Sequence, residues 1–91
     1  MKKTDKKVET YIGDVEFELT TPLIVAGKEF TKLKFREPKV EDLEKVTHLG
    51  SELEQTITII ANIGGFTIEE VRKFPSQLYM RIQERIRPFL F

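Results

Sequence analysis

The chain has 91 residues, with 15 Lys+Arg against 15 Asp+Glu, so its formal net charge is zero. Charged residues make up 33% of it, and cysteine is absent. These figures exclude a strongly basic nucleic-acid binder, a disulfide scaffold and thiolate chemistry, while seven Phe exclude a chain disordered throughout. A core drawn from so short a chain is marginal alone, so association with a partner or a second copy is expected.

Residues 1–10 are polar and mostly charged, and read as a disordered basic arm. No apolar stretch follows its lysines, so it is not read as a secretory signal. Residues 11–91 read as a single domain. The longest apolar runs, Leu23 to Ala26 and Phe89 to Phe91, fall far short of a membrane span.

From residue 15 the period is two. Val15, Phe17 and Leu19 alternate with Glu16, Glu18 and Thr20, and Thr31, Leu33 and Phe35 alternate with Lys32, Lys34 and Arg36. This predicts two half-buried antiparallel strands. A three-residue loop, Val25-Ala26-Gly27, would set Leu19 opposite Leu33 and Phe17 opposite Phe35, and would set Glu18 opposite Lys34. A two-residue loop at Ala26-Gly27 would mix the faces. The three-residue loop is therefore expected, with Gly27 in the left-handed conformation. Pro22 cannot donate to a ladder, which marks the first strand as an edge or as broken there.

Glu37-Pro38 ends the sheet, because proline disfavours helix in the residue before it. Val40, Leu43, Val46 and Thr47 then recur with helical period, behind acidic first-turn residues that suit the helix dipole. Gly50 either breaks or bends this helix. Ser51 with Glu54 fits a capping box opening the stripe Leu53, Ile57, Ile60 and Ala61. Gly64-Gly65 stops that helix. Thr67 with Glu70 opens a short one that Pro75 ends, and Ser76 is placed to cap the last. Leu78, Ile82, Ile86 and Phe89 share one face of that helix, and Pro88 closes it. The expected fold class is α+β: an N-terminal antiparallel β-hairpin followed by three to four short α-helices.

Residues that could carry chemistry are few. His48 is the only histidine; Glu44 and Glu52 flank it at i−4 and i+4, a pattern common on any helix face. Ser51 and Ser76 are explained as caps, and Gly64-Gly65 has no phosphate-loop company. No catalytic residue, metal ligand or cofactor is assigned, and the chain is not read as an enzyme.

Charge is segregated despite the zero total. Residues 37–70 hold two Lys and eight Asp/Glu, and residues 72–91 hold five Lys/Arg and one Glu. The basic end, with Arg81 and Arg85 near Tyr79 and Phe89, offers an alternative reading as a small nucleic-acid-binding regulator. The overall charge balance speaks against it, and nucleic acid is not the expected partner. Leftover apolar residues point to protein instead. In the expected register Pro22, Ile24 and Phe30 share the outer hairpin face and form a patch. Phe89 and Phe91 form an apolar tail, and Leu78 and Ile82 lie on the last helix. These seven are the candidate partner-binding residues.

Leu33-Lys34-Phe35-Arg36-Glu37-Pro38-Lys39-Val40-Glu41-Asp42-Leu43 resembles the l-x-l-R-x-P-x-x-x-D-l signature of the phage tail assembly chaperones of Mu-like and related contractile-tailed phages. Gly27-Lys28-Glu29-Phe30-Thr31 is similar to the hairpin of that family, with Ala26 where an acidic residue is usual. Ile57 to Phe66, Thr67-Ile68-Glu69-Glu70-Val71 and Phe74 resemble its later helical stretch, with Gln77 where an acidic residue is common. The resemblance covers about residues 15–87.

It implies a non-enzymatic assembly factor of the host bacterial cytoplasm. Such a factor would bind helical segments of the tape measure protein and keep it soluble. It would meet tail tube proteins and be absent from the mature virion. Apart from the resemblance, the edge character of the first strand points to pairing of two hairpins in a homo-oligomer, and the short apolar runs to no membrane contact. Helix-in-groove recognition with charged rims would serve that task. Gly27, Arg36, Pro38 and Asp42 match the family motif and are read as structural, with Asp42 placed to pair with Arg36.

Overall fold

The computed structural model describes residues 13–89. Two antiparallel strands, β1 (Val15–Val25) and β2 (Lys28–Phe35), are followed by four helices: α1 (Val40–Glu44), α2 (Glu52–Gly64), α3 (Ile68–Arg72) and α4 (Ser76–Ile86). A 3-10 turn over Arg87–Phe89 continues α4. The architecture is the expected α+β hairpin with helices.

The hairpin register differs from the expected one. The turn holds two residues, with Val25 opposite Lys28 and Leu23 opposite Phe30. Ala26 and Gly27 both have positive φ, 54° and 78°, as a type I′ turn requires. Near the open end Phe17 faces Leu33 and Glu18 faces Lys32. The mixed faces that argued against a two-residue loop are reconciled by an irregularity. Four β1 residues, Leu19 to Pro22, stand where β2 has only Thr31. The ladder breaks where Pro22 has no amide to give.

This changes one expected face. Odd positions of β1 point inward at both ends of the strand, with Val15, Leu23 and Val25 buried, while Thr21 in the irregular stretch is exposed. On β2 the inward positions are Phe35, Leu33 and then Phe30, so Phe30 lies on the core side rather than beside Pro22 and Ile24. Its ring meets Phe66 edge to face at 5.5 Å.

The helix punctuation follows local chemistry. Gly50 lies in a true break, and the Ser51 hydroxyl accepts from the Glu54 amide to start α2. Thr67 and Glu70 form a complete capping box, at 3.1 and 2.9 Å. Gly65 ends α2 in the left-handed conformation, and the Phe66 amide closes on the Ala61 carbonyl. Ser76, expected as a cap, is instead the first residue of α4. Pro75 occupies the cap position, because its extended ψ of 142° turns the chain into the helix without a side-chain acceptor.

The core joins hairpin to helices. Phe35, Val46, Ile60, Ile82 and Ile86 are each fully buried. Phe66, between α2 and α3, stacks edge to face on Phe74 at 5.2 Å and lies tilted against Phe35 at 6.5 Å. The α2 stripe is rotated from expectation: Thr56, Ile59, Ile60, Ala61 and Ile63 are buried, whereas Leu53 is 56% exposed. Val40, expected to face inward, is 73% exposed, because α1 is only one turn long and only its Asp42 side is buried.

Candidate functional site

Two places stand out: a closed corner and an open groove. The corner lies where β2 runs into α1. The Arg36 guanidinium donates to both oxygens of Asp42, at 2.8 and 3.1 Å, and the Lys39 amide donates to Asp42 Oδ2 at 2.8 Å. Asp42 is 2% exposed, while the Arg36 side chain stays partly in water. The hydrogen bonds from Arg36 hold the Asp42 carboxyl below the usual carboxylate range, against the opposing effect of burial. Asp42 in turn raises the Arg36 pKa.

The Arg36 amide also donates to the Ile63 carbonyl at 3.1 Å, tying the strand end to the last turn of α2. One residue on, Gly64 approaches so closely that a Cβ there would sit 2.5 Å from the Phe35 ring. Arg36 and Asp42 thus join the strand end to the first turn of α1, Pro38 stands between them in sequence, and Gly27 occupies the hairpin turn.

The groove, of about 720 Å³, runs between β1 and α4. One wall is the unbroken run Phe17 to Leu23 of β1; the other is α4 with Pro75 before it. A strand that presents successive residues to a cleft presents its edge, since one face would show only alternate residues. The two-stranded sheet has no further strand on that side among the described residues. Phe17, Leu19 and Leu78 are half-buried and bring apolar surface to the groove. Charge rims it: Glu18 from β1, and Arg81, Glu84 and Arg85 from α4. The Arg85 guanidinium lies over the Phe17 ring, 5.4 Å from its centroid, which holds it across the cleft.

The groove collects some of the candidate binding residues and separates others. Pro22 and Leu78 both line it. Ile24 is 70% exposed but stands outside it, and Phe30 and Ile82 are turned into the core. Phe91 and the Phe89 side chain lie outside the described residues, as does the arm over 1–10. Sequence reasoning missed Leu19, Arg81 and Arg85 as neighbours. The available signal was the loss of alternation at Thr20-Thr21-Pro22, which marks a strand leaving its partner. Glu84 interrupts the basic residues of α4, so they form no continuous stripe for a phosphate backbone.

His48 is exposed in the turn after α1. Among the described residues no three His, Asp or Glu side chains gather as metal ligands, and no helix is long and apolar enough to cross a membrane.

Comparison with known families supplies the deciding observation. A family model described as "Phage tail assembly chaperone proteins, E, or 41 or 14" matches residues 16–90. The chain belongs to this family of phage tail assembly chaperones. The match begins in β1 and passes through both corner and groove. Membership implies work on phage tail proteins as a chaperone during assembly in the host cell. No curated protein and no solved structure matches the chain.

Proposed function

We propose that this tail assembly chaperone binds the tape measure protein and keeps it from aggregating until tail tube subunits enclose it. The observation that carries the reading is the open groove of about 720 Å³ between β1 and α4, whose mixed lining brings Phe17, Leu19, Leu23 and Leu78 together with charges of both signs. A tape measure chain exposes apolar surface before the tube covers it. A groove of this kind shields a short stretch of such surface, and its modest area permits release. The reading is non-enzymatic. It places the chaperone in the host bacterial cytoplasm, brings it near tube proteins, leaves room for self-association, and excludes it from the finished virion.

The test is co-expression with a phage tape measure protein. The chaperone is expected to hold that protein in the soluble fraction and to co-purify with it. Leu78→Lys, which charges the groove wall, is expected to abolish this. A tape measure protein that stays insoluble beside the wild-type chain refutes the reading.

A further inference from the structure

The groove also indicates the conformation of its guest. The β1 ladder to β2 stops after Glu18 and resumes only at Leu23. The intervening stretch lines the groove as part of a consecutive run. No backbone group of β1 bonds to a described residue outside the hairpin. A strand edge unpaired among the described residues and lying along a cleft is a template for one more strand, since extended backbone is what its amides and carbonyls fit. The opposite wall adds charge: Arg81 and Arg85 stand there with Glu84.

We infer that the groove takes a short extended segment of the guest as a third strand on the far edge of β1, with acidic side chains of that segment set against Arg81 and Arg85. The inference rests on the tape-measure reading above and adds the guest's conformation and charge. Apolar side chains of the segment fill the space over Phe17, Leu19 and Leu78, and a basic one is favoured beside Glu18. Pro22 gives no amide, so pairing is confined to Phe17 through Thr21. A helical guest satisfies its own backbone and makes no use of this edge.

Hydrogen exchange on the complex co-purified with the tape measure protein tests this. Binding is expected to slow exchange at alternate amides between Phe17 and Thr21, those on the far edge. Thr20→Pro and Thr21→Pro delete neighbouring amides, of which one points to the groove. One variant is expected to hold about tenfold less tape measure protein and the other to behave as wild type. Arg81→Glu with Arg85→Glu is expected to weaken retention by a similar factor.

A complex that forms without the alternating protection, or that survives both proline substitutions, overturns strand addition while leaving the chaperone reading intact. Equal protection in the chain alone would mean that residues 1–12 or a second copy already fill the edge, and it too overturns the inference. Failure of the wild-type chain to retain the tape measure protein refutes both.

Discussion

At the corner between β2 and α1, three donors converge on one carboxylate within 3.1 Å, and Gly64 stands in contact with the Phe35 ring. Along β1 from Leu19 to Pro22, by contrast, the strand has left its partner and faces a cleft whose far wall carries charged side chains. The two regions share β-hairpin residues yet solve opposite problems. The corner joins hairpin to helices by pairing its buried carboxylate fully. Among the described residues, the β1 backbone along the groove has no partner outside the hairpin.

That division can be broken from the corner side. Phe35→Ala empties the centre of the aromatic cluster and is expected to cost about 4 kcal/mol, read as a lower urea midpoint. Gly64→Ala forces a methyl against that same ring, which is fully buried and has little room to yield. A loss of about 2 kcal/mol is expected, with Gly65→Ala a separate left-handed strain.

Asp42→Asn removes the charge that Arg36 and the Lys39 amide address. Because Arg36 is part-exposed, the expected cost is about 2 kcal/mol rather than that of a fully buried pair. Its pH signature has a definite sign. The folded Asp42 pKa is depressed, so its contribution is complete above the ordinary carboxylate range and is lost as pH falls through that range towards its own lower value. The wild type should therefore lose stability on acidification more steeply than Asp42→Asn does, as read by thermal melts at stepped pH.

The groove side sharpens the comparison with a smaller effect on folding. Pro22→Asp lies at an exposed, unpaired position and is expected to change stability by no more than about 0.5 kcal/mol. The same variant should reduce co-purified tape measure protein. A large stability loss here would show that the groove wall is part of the folding core after all.

Much of the molecule was legible because it is written in local chemistry. Ser51 and the Thr67/Glu70 pair announce helix starts through side-chain acceptors, and Gly65 announces an end through its positive φ. Arg36 and Asp42 were placed to pair by strand end and first turn. The register was not legible. Cross-strand matching assumed an unbroken ladder, whereas the type I′ turn at Ala26-Gly27 set one phase and the pairs near Val15 set another, with the difference absorbed beside Pro22. Phe30 was misplaced for that reason. Ser76 failed as a cap because Pro75 already supplied the bend. The role of Gly64 in packing needs tertiary contact with Phe35, which no local pattern encodes. Of the groove, the sequence marked Pro22 and Leu78 but could not show that Arg81 and Arg85 would stand across from them.

Pro22 has a consequence for the molecule's own solution behaviour. Sheet edges are how proteins zip into filaments, and a handler of sticky chains is produced in their company. A proline at the end of the exposed stretch means that a copy of β1 laid along another would lose its bonding rhythm within a few residues. Growth by stacking hairpins would stall at the first addition, so the same irregularity that opens the cleft also keeps it from seeding an aggregate.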